Sequence, residues 1–254
     1  MTTDVDSAKR MLSESKFFMG YARYDDEKQG YETWEDAVKR VMDMHRYKYQ
    51  DKMTPELAEL IDFAEHHYMQ GNVLGSQRNL QFGGEQILKK PARQYNCTFS
   101  FANRPDFFEG AMYLLLCGCG VGFSVQRHHV AQLPKVKRRY EKKSKVHTID
   151  DSIEGWATAF GVLLASFFED GGDHPEYRGC QVHFDFSKIR PKGSYISGGF
   201  KAPGPDGLRQ SLQRCEELLV DAVADTKEPV NLRPIQVYDF VMHMADAVLS
   251  GGVR

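Results

Sequence analysis

Five cysteines are the side chains best suited to redox chemistry in this 254-residue sequence. Their odd number and wide scatter argue against a secreted disulfide framework, so we expect reduced thiols. Cys97 lies in an apolar run, Asn96-Cys97-Thr98-Phe99, typical of a β-strand. A thiol there could face the interior of a sheet or barrel and form a disulfide with a second cysteine. A buried structural cysteine is the alternative, because free cysteine packs as a small hydrophobe. The five are Cys97, Cys117, Cys119, Cys180 and Cys215.

The run Cys117-Gly118-Cys119 has the residue types of a metal knuckle without its spacing. Structural zinc sites typically separate the two cysteines by about two to four residues and add a second pair of Cys or His ligands. Neither feature is present in this sequence. We therefore predict no metal site and assign structural roles to both cysteines.

Three glycine-rich runs could present backbone N–H groups to a phosphate beside a basic side chain. They are Gly75-Ser76-Gln77-Arg78-Asn79, residues 193–205, and Gly251-Gly252-Val253-Arg254. A plain turn is the alternative for each run, since glycine and proline mark turns first. A fourth glycine-rich run, residues 118–122, is not a dinucleotide-binding fingerprint, because it precedes an expected strand and not a helix.

The elements that must position these groups follow from hydrophobic periodicity and capping residues. The first ninety residues are expected to be mostly helical, and residues 91–254 to alternate strands and helices. Two strand-helix units are expected, followed by two closing amphipathic helices. Alternation of this kind favours an α/β sheet or barrel with helices outside. The predicted helices are residues 33–48, 54–71, 106–117, 152–168, 206–224 and 234–249, and the strands are residues 95–102, 121–125 and 182–186.

Composition limits the partners of the chain. Lys+Arg 33 against Asp+Glu 35 gives a net charge near −2, so no overall field attracts nucleic acid or a membrane surface. No apolar run reaches the roughly 20 residues of a membrane span, and Met1-Thr2-Thr3-Asp4 is unlike a signal peptide. We expect a cytoplasmic protein. The basic run of residues 135–145 is expected to be a solvated loop.

Taken in order, many segments resemble the large subunit of ribonucleotide reductases, in particular the monomeric, adenosylcobalamin-dependent (class II) ribonucleoside-triphosphate reductases. Each segment alone is a weak signal, whereas their shared order along the chain is specific. The segments are residues 21–24, 32–41, 75–80, 96–97, 120–125, 151–156, 185–193, 202–205 and 250–254.

The resemblance implies the first half of a ten-stranded α/β barrel, preceded by a helical segment. It implies that Cys97 is a reducing cysteine, which protonates the departing 2′-hydroxyl of the ribose and then forms a disulfide. It also implies two nucleotide sites. The substrate site would contain Ser76, Gln77, Arg78, Asn79 and Asn96, and the effector site Lys188, Arg190, Gly198, Gly199, Lys201 and Arg254.

The same resemblance implies the cofactor and the partners. Adenosylcobalamin would be the cofactor, a ribonucleoside triphosphate the substrate, a deoxynucleotide the effector, and a thioredoxin-like protein or dithiol the reductant. The radical cysteine and the carboxy-terminal cysteine pair of the family have no counterpart here. We therefore expect a carboxy-terminal reductase polypeptide to supply them, and little activity without it. Residues 125–152 are shorter and more basic than the insertion that imitates a dimer partner in monomeric members.

Two further functions remain open at this stage. The chain could be a nucleotide-binding regulatory or interaction protein without catalysis, in which case Cys97 would be dispensable. It could also come from the oxygen-dependent class I large subunit, which shares the barrel but takes its radical from a separate protein. The cofactor that activity requires would separate the second possibility from the class II enzyme.

Overall fold

A computed structural model describes residues 2–195 and 201–249 of the chain. The described residues form two compact units, the first of residues 2–96 and the second of residues 97–195 and 201–249. Helices and strands alternate along the second unit, so the predicted mixed α/β class is confirmed. No described helix combines the length and the apolar character that crossing a membrane requires.

The first unit is mostly helical. Thr33 caps one helix reciprocally with Asp36, and Thr54 caps the next, which has Pro55 in its first turn. Its largest cluster of buried side chains includes Phe17, from the first helix of the chain, and Val41, from the helix that Thr33 caps. The elements are α1 (Thr2–Gly20), β1 (Tyr24–Asp25), β2 (Gly30–Tyr31), α2 (Trp34–Lys48), α3 (Pro55–Met69), α4 (Gln77–Phe82) and α5 (Glu85–Lys89).

The second unit contains two parallel strand pairs, each joined through a helix. β3 pairs with β4 from Cys97↔Gly120 to Phe101↔Ser124, and β5 pairs with β6 from Ser144↔Gln181 to Thr148↔Asp185. The apolar helix α8 lies in the centre of the core, with ten of its residues buried. The elements are β3 (Cys97–Phe101), α6 (Asp106–Leu116), β4 (Gly120–Ser124), α7 (Arg127–Val130), β5 (Ser144–Thr148), α8 (Ile153–Phe167), β6 (Gln181–Asp185), α9 (Asp206–Ala222) and α10 (Pro234–Leu249).

The predicted helices agree with the structure to within a few residues. The prediction that residues 135–145 form a solvated loop was wrong in two respects. The end of this run forms the start of β5. The Arg139 side chain is 7% exposed, pairs with Glu216 at 2.5 Å and lies over the Phe167 ring. A guanidinium can be buried here because its charge is paired and it lies over the face of an aromatic ring.

The half-barrel remains a prediction. Among the described residues, the strands form separate two-stranded sheets, β1-β2, β3-β4 and β5-β6. The division of the chain at residue 90 also remains a prediction; along the sequence, the boundary between the two compact units falls between residues 96 and 97.

Candidate functional site

Cys97 begins strand β3 and its side chain is exposed. Side chains alternate across a strand, so Cys97 shares one face of β3 with Phe99 and Phe101. These two aromatic residues are 65% and 42% exposed, and their ring centroids are 5.3 Å apart. A Cβ at Gly122 on β4 would lie 3.2 Å from the Phe99 ring, so glycine gives this ring room. Cys97 therefore lies on an apolar strand face that the described residues leave open to solvent.

The other four cysteines are buried. Cys117, Cys119, Cys180 and Cys215 are each no more than 4% exposed. Burial raises the pKa of the Cys215 thiol, whose Sγ lies 3.6 Å from the Phe240 carbonyl oxygen. A buried, protonated thiol is a poor nucleophile. Of the five thiols, Cys97 is thus the one that a solute can reach.

The predicted substrate residues Ser76, Gln77, Arg78 and Asn79 lie at the start of helix α4, in the first unit. Arg78 Nε donates to Asn96 Oδ1 at 2.7 Å, so the structure brings together two predicted residues that are 18 positions apart. Ser76 and Gln77 are exposed, whereas Arg78 and Asn79 are half-buried. A nucleotide at this turn would therefore first meet a hydroxyl and an amide.

The predicted effector residues Lys188 and Arg190 follow β6, at the carboxyl ends of the parallel pair β5-β6. Loops at these ends commonly bind ligands in α/β proteins. Here both cations are paired, Lys188 with Asp150 at 2.7 Å and Arg190 with Asp151 at 2.5 Å. The hydrogen bond from Lys188 lowers the pKa of the Asp150 carboxyl. Asp185, at the end of β6, accepts hydrogen bonds from Ser187 and Thr148.

The Lys188–Asp150 pair is exposed and the Arg190–Asp151 pair is partly exposed. Surface ion pairs typically contribute about 0–1 kcal/mol to stability, so an incoming phosphate could replace the carboxylates at small cost. Lys201 is exposed, and its backbone bridges to Tyr195. Gly198, Gly199 and Arg254, also predicted at this site, lie outside the described residues.

A cluster of Glu109, Thr158 and His174 in the second unit was not predicted. Glu109 accepts from Thr158 Oγ1 at 2.6 Å, and its other oxygen lies 2.9 Å from His174 Nε2. Thr158 and His174 lie 49 and 65 positions from Glu109 in the sequence, so no spacing motif could have revealed the cluster. Among the described residues, no group of three or more His, Cys, Asp or Glu side chains could hold a metal ion.

Known proteins similar to this chain belong to one group of enzymes. The adenosylcobalamin-dependent ribonucleoside-triphosphate reductase of Lactobacillus leichmannii is 28% identical over 292 residues, which cover 92% of this chain and 38% of that protein. The chain is homologous to the amino-terminal part of such reductases. The corresponding enzyme of Lactobacillus helveticus is 24% identical over 300 residues, covering 92% of this chain and 39% of that reductase. No family model matches the chain.

A solved structure supports the same relationship at the level of the fold. The crystal structure of a B-12-dependent, class II ribonucleotide reductase matches 92% of this chain and 40% of that reductase. The TM-score is 0.75 and the sequence identity 24%. The predicted resemblance to class II reductases is thereby confirmed. The chain spans about 38% of the length of its curated relatives.

Proposed function

We propose that this chain is the amino-terminal part of the catalytic subunit of an adenosylcobalamin-dependent ribonucleoside-triphosphate reductase, with Cys97 as a reducing cysteine. One observation carries the proposal: of five thiols, Cys97 is exposed at the start of a parallel strand, in a chain homologous to these reductases. The apolar face formed by Cys97, Phe99 and Phe101 would line the interior of the ten-stranded barrel.

The chemistry assigned to Cys97 is a two-electron reduction. Cys97 gives its thiol proton to the departing 2′-hydroxyl, which leaves as water, and the hydrogen that replaces it at the 2′ carbon comes from a partner thiol. Together the two thiols lose two electrons and become a disulfide. A thioredoxin-like protein or a dithiol then reduces that disulfide by thiol–disulfide exchange. Exposure of Cys97 suits both steps, because substrate and reductant must each reach its sulfur.

The two nucleotide sites are assigned to separate loops. The turn from Ser76 to Asn79, with Asn96, would bind the ribonucleoside triphosphate. Lys188, Arg190 and Lys201 would bind the phosphates of a deoxynucleotide effector, together with Gly198, Gly199 and Arg254. Guanidinium and ammonium groups suit this role because their charge-assisted hydrogen bonds to phosphate are strong. Effector binding would favour one state of the substrate site, which is a coupling free energy between the two.

Adenosylcobalamin, when bound, supplies the radical that begins the reaction. The thiols of this chain do not fit that part of the chemistry, because the mechanism needs a radical thiol and a disulfide partner besides Cys97. The four other thiols are buried. We therefore assign no radical step to these residues, and propose that a carboxy-terminal reductase polypeptide supplies the remaining cysteines. A cytoplasmic location fits this proposal, since thiols stay reduced there.

The test is deoxynucleotide formation by the protein purified with its bound partners from its native source. GTP, adenosylcobalamin and dithiothreitol are added, and dGTP is measured by chromatography. We expect cofactor-dependent product, and at least about a thousandfold less from a Cys97→Ser variant, because the oxygen cannot form the disulfide. Cys180→Ala is the matched control, since it removes a buried thiol and should retain most of the activity.

The other outcomes would contradict the proposal in different ways. No product from the complete mixture would contradict a reductase. Equal product from the Cys97→Ser variant would contradict the role of the thiol and favour a regulatory function. Product that requires oxygen and a separate radical-generating protein instead of cobalamin would favour class I.

A further inference from the structure

Helix α4, which carries Arg78 and Asn79, is held at its carboxyl end by a side chain from α2. Arg40 donates from Nη2 to the Leu80 carbonyl at 2.9 Å and from Nη1 to the Gly83 carbonyl at 3.1 Å. Carbonyls at the end of a helix have no partner within the helix, so they are available to outside donors. Arg40 therefore acts as a cap from a distance of 40 residues in sequence.

Glu32 holds Arg40 in this position. It accepts two hydrogen bonds from Arg40, from Nε at 2.7 Å and from Nη2 at 2.9 Å, in a bidentate pair. The side chains are 14% and 12% exposed, respectively for Arg40 and Glu32. Such a pair has one favoured geometry, because the planar guanidinium matches both carboxylate oxygens. The pair is thus a rigid support for the end of α4.

Arg23 provides a second support. Its Nη2 donates to the Gln81 carbonyl at 3.2 Å, and its backbone N–H donates to Glu32 Oε2 at 3.2 Å. Burial, and next the charge of Arg40, lower the pKa of Arg23 to about 10. The charge of Glu32 acts in the opposite direction and raises the pKa of Arg23. Through its hydrogen bonds, Glu32 holds both Arg23 and Arg40 beside α4.

Such a support is needed because α4 has only six residues. Helices of this length are unstable alone in water, so their position depends on outside contacts. Leu80 and Phe82 are buried and fix one side. Gly83 N–H donates to the Asn79 carbonyl at 2.7 Å, and a Cβ at Gly83 would lie 2.3 Å from that oxygen. With its carboxyl end held in this way, α4 leaves little conformational freedom to the turn of residues 76–79 at its start.

We infer that Arg40, supported by Glu32 and Arg23, is a positioning residue that sets the affinity of the turn from Ser76 to Asn79 for a ribonucleotide. The inference rests on the proposed function, because it takes this turn as the substrate site. Arg40 acts only through α4 and need not touch the nucleotide. Its loss should weaken binding by shifting the turn, although the residues of the turn are themselves unchanged.

The experiment is hydrogen exchange of peptides covering residues 74–83 in the full chain with its bound partners, titrated with GTP. Protection localises binding to this turn, and its concentration dependence gives the affinity. We expect Arg40→Met to raise the half-saturating GTP concentration at least about tenfold, because misplacing a binding group by a fraction of an ångström is costly. Arg40→Lys should fall between Arg40→Met and the wild type, since one ammonium cannot replace a fork of donors.

Arg46→Met is the matched control. Arg46 lies on the same helix as Arg40 and pairs with Asp62 and Glu65 on α3. Arg46→Met therefore tests the loss of a partly buried ion pair of α2 that does not involve α4. Its half-saturating concentration should stay within about twofold of the wild type. If Arg40→Met is poorly folded, Arg40→Lys and Gly83→Ala carry the same test, Gly83→Ala by crowding the Asn79 carbonyl.

Equal affinity of the Arg40 and Arg46 variants would overturn the inference, as would the absence of GTP protection at residues 74–83 in the wild type. Protection without formation of dGTP is a separate result. It would contradict the proposed reduction, while the comparison of the variants would still decide whether Arg40 positions the turn.

Discussion

The accessibility of one thiol is the residue-scale feature on which the proposed chemistry depends. Cys97 is exposed and the other four cysteines are buried, so we expect one thiol per chain to react rapidly with a disulfide reagent in the native protein. The buried thiols should react at least about 100-fold more slowly, because they must wait for local opening. The rate is measured from the absorbance of the released thiolate.

Cys97→Ser should abolish the rapid phase, and Cys180→Ala should retain it. Two or more rapid thiols in the wild type would contradict the burial of the other four cysteines, and the absence of a rapid thiol would contradict the exposure of Cys97.

The hydrogen-bonded pair of His174 and Glu109 predicts that the stability of the protein depends on pH. The hydrogen bond between them raises the pKa of His174 above its ordinary 6.5 and lowers that of Glu109 below 4.5. The His174 contribution to stability is full below 6.5 and is lost as pH rises through the raised value. The Glu109 contribution is present above 4.5 and is lost as pH falls through the lowered value. Their combined contribution is therefore largest between these pH values.

Glu109→Gln should accordingly destabilise the protein more at about pH 5.5 than at about pH 8, by a difference of about 1 kcal/mol or less, because both groups are partly exposed. Urea unfolding at the two pH values measures this difference. Glu176→Gln is the control, as it removes a nearby charge from His174 without removing its hydrogen bond. An equal loss of stability at both pH values would contradict the assigned ion pair.

At the scale of elements, helix periodicity and caps were enough to predict most helices, but not which strand faces are covered. The alternation of Cys97, Phe99 and Phe101 indicates a common face, and apolar residues normally point to a core. In the described structure that face is exposed. β5 was missed because its start is polar and continues a basic run. The contact of Arg40 with Gly83 spans 43 positions, and no local pattern encodes such a contact.

The loops at the carboxyl ends of β5 and β6 are the elements that we propose to bind a deoxynucleotide effector. Arg190 lies just beyond β6, where a phosphate could replace Asp151 as its partner. Arg190→Ala should raise the dissociation constant for dATP about tenfold, the usual effect of losing a charge-assisted hydrogen bond to phosphate. Titration calorimetry measures it. Arg214→Ala, which removes an exposed guanidinium paired with Asp246, should leave the constant unchanged; equal effects of both variants would contradict a site at Arg190.

At the scale of the whole molecule, the two units differ in the size of their cores. Among the described residues, the main cluster of the second unit has 29 buried side chains, whereas the clusters of the first unit have eight and three. Hydrophobic stabilisation grows with the apolar area buried, at about 25 cal/mol per Å². We therefore expect the first unit to unfold at a lower urea concentration than the second.

The two tryptophans make this expectation measurable, because one lies in each unit. Trp34→Phe leaves Trp156 to report the second unit, and Trp156→Phe leaves Trp34 to report the first. The fluorescence midpoint of Trp34 should come at the lower urea concentration, even though Trp156→Phe weakens the second unit. Coincident midpoints in the two variants, matched by circular dichroism of the wild type, would instead mean that both units unfold as one cooperative structure.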